Sequence, residues 1–218
     1  WTINLRKKES EYFEKNKYKI FLSALLISHF PYVRSIILTG TPAKSILNKY
    51  EDFDFLIITK KNKIWECRTI IQLFKKIISL NYKNKLFKFF CYNNFISEDK
   101  LNIVANEFIL IELFFAHPIF NKKLYLKLID SIENENNFIS IKNKNFIFAE
   151  IKLRFGIIQI FSELIVNLLL FKKIKNYLFK LHYNCWINKG YYSTFEEFKS
   201  QSGLNFTNHH SSNRRNYL

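Results

Sequence analysis

Residues 34–59, RSIILTGTPAKSILNKYEDFDFLIIT, constrain the fold of this chain more than any other stretch. An apolar run, Ile36-Ile37-Leu38, enters a tight Thr39-Gly40-Thr41-Pro42 turn, and a second run over 53–58 carries Asp52 and Asp54 at its head. The pattern predicts a strand over 33–38, a glycine turn, a short helix over 43–47 and a strand over 53–59. Alternate side chains of a strand share a face. Asp52 and Asp54 therefore point one way, Phe53 and Phe55 the other. Two carboxylates on one face repel each other unless a cation lies between them, and carboxylate oxygens together with substrate phosphates are how proteins hold Mg2+. The Gly40-Thr41 turn adds backbone N–H groups and a hydroxyl, which suit a phosphate. The bland alternative is an ordinary solvated strand end, so the motif draws its meaning from its context.

The rest of the chain reads as helix with one more strand. Charges crowd the first half of a helix predicted over 6–29, and Phe21, Leu22, Leu25 and Leu26 form its apolar stripe. His29-Phe30-Pro31 ends it, because the residue before proline is pushed out of the helical region. A basic loop with Lys60, Lys61 and Lys63 leads into a helix over 64–80, with Trp65, Cys67, Ile71 and Phe74 inward. The Phe- and Tyr-rich segment 86–96 predicts a third strand containing Asn93. Helices follow over 104–116 and 124–129, the first stopping at His117-Pro118, where His117 reads as structural. Segment 131–145 is a polar, Asn-rich connection, and 146–181 is mostly helical. Within that last stretch Gln159, Glu163 and Asn167 fall at i, i+4 and i+8, one polar stripe that makes the helix amphipathic, so it is expected to pack on the rest of the protein; a membrane-surface helix with the basic tail Lys172, Lys173 and Lys175 is the minority reading. The segment 186–190 reads as a turn, 193–197 as a helix start, and Asn213 or Ser212 as an N-cap ahead of Arg215.

At the glycine turn and the paired carboxylates the chain resembles the polymerase-beta-like nucleotidyltransferase superfamily, whose signature is hydrophobic-Gly-(Gly or Ser), a spacer, then Asp-hydrophobic-(Asp or Glu)-hydrophobic. Here it reads Gly40-Thr41, ten residues, then Asp52-Phe53-Asp54-Phe55. More narrowly the chain is similar to a bacterial group of nucleotidyltransferase-domain proteins, through Pro31, Val33, Leu38, Thr39, Gly40, Ala43, Asp52, Asp54, Leu56, Ile57 and Thr59. The likeness continues through Trp65, Arg68, Cys91, Asn93 and Ser97-Glu98-Asp99, and returns at His210, Asn213 and Arg215. It departs at Thr41, where the family has Ser, at Pro42, which lacks an N–H, and at Ser45, where a second glycine is usual. The third carboxylate of the superfamily falls on Asn93.

The resemblance implies an α+β fold, a small mixed sheet flanked by helices over residues 1–100, with a helical region over 101–218. It implies transfer of a nucleoside monophosphate from a nucleoside triphosphate to an unknown acceptor, with Mg2+ as cofactor. Asp52 and Asp54 would be the catalytic pair and would hold the metal with Asn93. Gly40, Thr41, Lys44, Lys61 and Arg68 would bind the nucleotide. Two other classes stay open: a nucleotide- or partner-binding module that kept the fold and lost the third acid, and a basic nucleic-acid-binding protein.

Composition narrows these. The 218 residues include 24 Phe and 12 Tyr but only 4 Gly and 3 Pro, which is globular rather than disordered. The formal net charge of +16 draws anions such as a triphosphate. Its lysines are scattered in ones and twos, so only weak, sequence-independent nucleic-acid binding is expected. Three widely spaced cysteines without a C-x-x-C fit a reducing cytoplasm. The apolar stretch 155–171 is too short and too interrupted by polar residues for membrane insertion. The chain starts at Trp1 and holds no Met, which reads as a piece of a longer product trimmed at both ends.

Overall fold

The apolar runs on either side of the glycine turn become the two central strands of a sheet. The computed structural model describes residues 2–49, 52–81, 90–102, 107–133, 146–152, 156–169, 174–189 and 206–207. Within these, β1 (Val33–Thr39) and β2 (Phe53–Thr59) pair antiparallel, with Ile37 opposite Leu56 and Thr39 opposite Asp54. β3 (Phe90–Ser97) runs parallel to β2 on its other side. β4 (His117–Phe120) lies antiparallel along β1, and β5 (Phe206–Thr207) antiparallel along β3, giving the order β4-β1-β2-β3-β5. The fold is therefore α+β with a mixed sheet and flanking helices. Two of the strands come from beyond residue 100, so the sheet does not end where the third predicted strand does.

Both faces of β1 and β2 are buried, which explains their near-continuous apolar sequences. On one face Val33, Ile36, Leu38, Phe53, Phe55, Ile57 and Phe95 join a core with α1 (Thr2–Ser28), α3 (Ile64–Asn81) and α7 (Ile174–Asn188). On the other, Ile37, Leu56, Ile58 and Ile96 pack with α4 (Glu107–Phe115) and α5 (Lys122–Glu133). A fully buried Phe or Ile contributes about 1.5–3 kcal/mol, whereas an exposed ion pair gives at most about 1 kcal/mol. The two-sided apolar sandwich, not the surface charge pattern, holds the sheet in place.

Several predicted elements are redrawn. The buried line of α1 is Phe13, Ile20, Ala24 and Ile27, while Leu22 is exposed. His117-Pro118 does not merely end a helix but begins β4, where proline is tolerated because this strand lies on the sheet edge. The stretch predicted as one long helix starts as extended chain: the Ile151 amide donates to the Ile119 carbonyl at 2.7 Å, and the Phe148 ring meets those of Phe13 and His117. It then forms two helices, α6 (Gly156–Leu169) and α7. Trp186, expected in a turn, lies inside α7 against Trp65, which outweighs the local turn signals. The features expected at 134–145, 193–197 and Asn213 lie outside the described residues.

Candidate functional site

The glycine turn and the carboxylate strand meet at one end of the sheet. β1 delivers the chain to Gly40, which opens the short helix α2 (Gly40–Ala43), and the Thr39 hydroxyl donates to the Asp54 carbonyl at 3.3 Å. Gly40 has φ +70°, in the left-handed region, and a Cβ built on it would lie 2.7 Å from Asp54 Oδ2. Glycine is thus required twice over, by backbone conformation and by the carboxylate resting on its Cα. Strand alternation turns Asp54 to the same face as Leu56 and Ile58, toward α4. Asp52 precedes β2 and is exposed.

Pro42 sits in the first turn of α2, where its missing N–H costs nothing. The helix is shorter than predicted and starts three residues earlier. It ends because Ser45 takes φ +60°, with the Ser45 amide donating to the Pro42 carbonyl at 3.1 Å. Ser45 therefore retains the left-handed conformation that a glycine would adopt without strain.

A residue that the sequence reading passed over completes this end. Glu112, on α4, accepts a hydrogen bond from the Gly40 amide at 2.9 Å and pairs with Lys44 at 2.8 Å. The Gly40 amide and Lys44, both expected to meet phosphate, are thus held by a carboxylate of the chain itself. The signal was present, since Glu112 is the single charge within the apolar run 108–116. His117 secures the other end of α2. Its Nδ1 accepts from the Ile147 amide at 3.3 Å, so Nε2 carries the proton and donates to the Ala43 carbonyl at 3.1 Å. The reading of His117 as structural agrees with these contacts.

Gly40 meets Asp54, and Glu112 joins Gly40 to Lys44, with Thr41 next to Gly40 in α2 and Asp52 two residues before Asp54. Asn93 lies in β3 where the register slips: Asp54 faces Cys91 but Leu56 faces Asn94, leaving Tyr92 and Asn93 opposite Phe55 alone. Such bulges redirect side chains and gather near functional sites. Lys61 is not brought to this end. It lies beyond the far end of β2, about 20 Å away at ~3.3 Å per residue, where Lys60, Lys61 and Lys63 pair with Glu163, Asp99 and Glu66. Arg68 is not brought there either. It is 2% exposed on the opposite face of the sheet, its guanidinium 5.2 Å from the Phe95 ring and 4.6 Å from that of Trp186. Aromatic stacking in the core claims a side chain that its position on the helix had suggested for phosphate.

The donors at the glycine end are all oxygens, the set suited to a hard divalent cation such as Mg2+. Among the described residues no three His, Cys, Asp or Glu side chains form a metal cluster, so a cation here would take its remaining ligands from water or substrate. No family model matches the chain, and neither does any curated protein or solved structure.

Proposed function

We propose that the chain is a nucleotidyltransferase-like protein that binds a nucleoside triphosphate with Mg2+ at the glycine-turn end of the sheet. The observation that carries this reading is the seating of the Asp54 carboxylate on the Cα of Gly40, where any side chain would collide with it. Asp52 and Asp54 would hold the metal, and Gly40 and Thr41 the triphosphate. The bound cation would offset negative charge on the phosphates and on the departing pyrophosphate. An acceptor oxygen bonds to the α-phosphorus as the bond to pyrophosphate breaks, and the acceptor is a hydroxyl or phosphate. Triphosphate binding at the Gly40 amide requires Glu112 to move aside, since that carboxylate already takes the hydrogen bond.

A second reading is a nucleotide-binding module without turnover. It is favoured by Glu112 on the Gly40 amide and by a neutral residue, Asn93, where the superfamily has an acid. Calorimetric titration of nucleoside triphosphates with and without Mg2+, alongside pyrophosphate release, separates the two. The enzyme reading expects Mg2+-dependent binding and release, both lost in Asp54→Asn. Binding without release, with release gained in Asn93→Asp, selects the module. Binding that ignores both Mg2+ and Asp54→Asn defeats both readings.

A further inference from the structure

The helix α6 is attached to the protein by the wrong side for a water-facing element. Its polar stripe turns inward: Gln159 Nε2 donates to the carbonyls of Phe30 and Val33 at 3.0 and 2.7 Å, and Asn167 Oδ1 accepts from the Tyr32 hydroxyl at 2.8 Å. Between them Glu163 receives Arg34 at 2.7 Å, Lys60 at 3.0 Å and the Tyr32 amide at 3.0 Å. The apolar side is left outside. Ile157, Ile160, Phe161, Leu164, Ile165 and Leu168 are each more than half exposed, up to 79% at Leu168. A surface helix ordinarily shows the reverse arrangement, and an apolar patch of this kind marks a contact surface.

We propose that this face of α6 lies on an anionic lipid bilayer. Charge selects the occupant. Glu163 is the one ionisable residue of α6, and it is turned inward and neutralised, so the outward face carries no charge. Lys172, Lys173 and Lys175 follow the helix, Lys180 and Lys189 are exposed on and just after α7, and no Asp or Glu occurs over 164–195. An uncharged apolar face followed in sequence by a purely basic segment is the pattern of a helix lying in the headgroup plane, with the nearby cations drawn to an anionic leaflet. A second copy of the chain fits less well, since two molecules of net charge +16 repel each other while an anionic surface attracts both. A nucleic acid would make no use of the apolar side chains. The 14 residues of α6 span about 21 Å at ~1.5 Å each, and no described helix is long and apolar enough to cross a membrane, so the contact is along the surface. The helix docks where β1 begins, at Phe30–Arg34, whereas the Gly40 turn lies where β1 ends. The proposed site therefore points away from the lipid.

The test is co-sedimentation of the full chain with extruded vesicles of phosphatidylcholine, alone or mixed with phosphatidylglycerol. Pelleting with the mixed vesicles is expected, weakened but not abolished by salt. The double variant Phe161→Ser/Leu164→Ser changes only exposed positions. It should keep the thermal unfolding profile of the parent and bind at least about tenfold more weakly, since withdrawing even one large apolar side chain from lipid is a change of about that size. A Phe161→Trp variant gives an independent readout, with emission quenched by vesicles containing brominated acyl chains. Absence of pelleting by the parent overturns the proposal. So does pelleting indifferent to the double variant, which would leave charge alone at work. A solution dimer dissolved by the double variant, without vesicle binding, gives the face to a second copy.

Discussion

The glycine turn shows how much one residue can be required to do. At Gly40 an alanine would need φ +70° and would press its Cβ to 2.7 Å from Asp54 Oδ2. The left-handed conformation alone costs an L-residue roughly 1–2 kcal/mol, and moving the carboxylate adds to it. Gly40→Ala is expected to lower stability by about 1–3 kcal/mol in urea unfolding and to abolish Mg2+-dependent nucleotide binding together with it. A stable variant with unchanged binding would separate Gly40 from Asp54. Ser45 presents the opposite case. It already sits at φ +60°, so removing its side chain relieves strain, partly cancelled by the greater freedom of glycine in the unfolded chain. Ser45→Gly should stabilise by about 0.5 kcal/mol, read as a raised urea midpoint at constant slope; a lowered midpoint would mean that the hydroxyl does more than follow the turn.

At the scale of elements, what the sequence revealed followed the range of the forces involved. The strands over 33–38 and 53–59 and the helix over 64–80 emerged nearly as read, because dense apolar runs and a glycine turn encode them locally. The glycine turn and Asp54 near the head of β2 were legible for the same reason. The edge strand β4, the extended chain before α6 and the helical placement of Trp186 were not, because each depends on partners remote in sequence: β1, Ile119 and Trp65. The burial of Arg68 belongs with them, as does what Glu112 contacts, although its lone charge in the apolar run 108–116 was visible. The stripe of Gln159, Glu163 and Asn167 was legible from its spacing, but neither its inward turn nor what it grips was. It grips Tyr32, a bulky residue held at φ +70° by the Glu163 carboxylate on its amide and by its own carbonyl accepting from the Lys60 amide at 2.8 Å. Burial alone would raise the Glu163 carboxyl, but the hydrogen bonds from Arg34, Lys60 and the Tyr32 amide outweigh it and hold the group below its ordinary value. Glu163→Ala removes all three contacts and leaves Arg34 without this partner. It should cost about 1–3 kcal/mol and increase amide exchange in α6 and at Tyr32 before the rest of the sheet. Uniform loss of protection across the sheet would instead make α6 part of one cooperative unit.

The whole molecule carries a large positive charge on a fold whose stability is apolar, so its response to acid is set by a few enclosed groups rather than by the surface lysines. The most telling is His182, on α7, 7% exposed against Trp65 and Trp186, with Nε2 3.1 Å from the Thr69 hydroxyl. Thr69 donates to the Trp65 carbonyl, so its oxygen accepts from a His182 ring that carries its proton on Nε2. Burial, assisted by the nearby Arg68 charge, pushes His182 down to about 3. The unfolded chain holds this imidazole at about 6.5. Its folded value is the lower one, so between about pH 6.5 and pH 3 the unfolded state binds the extra proton, and stability falls as pH falls. The contribution is complete above about pH 6.5 and is lost toward pH 3, with a slope of at most about 1.4 kcal/mol per pH unit. Glu163, also lowered, adds a loss in the same direction only once pH drops below the ordinary carboxyl value of about 4.3. Between pH 7 and pH 5 the imidazole should therefore act alone of the two. Urea unfolding across that interval should show the parent losing about 1–2 kcal/mol. His182→Gln, which keeps an amide N–H for Thr69 but cannot titrate, should start lower and lose less. Parallel losses in parent and variant would place the acid sensitivity elsewhere, in the balance of the +16 surface.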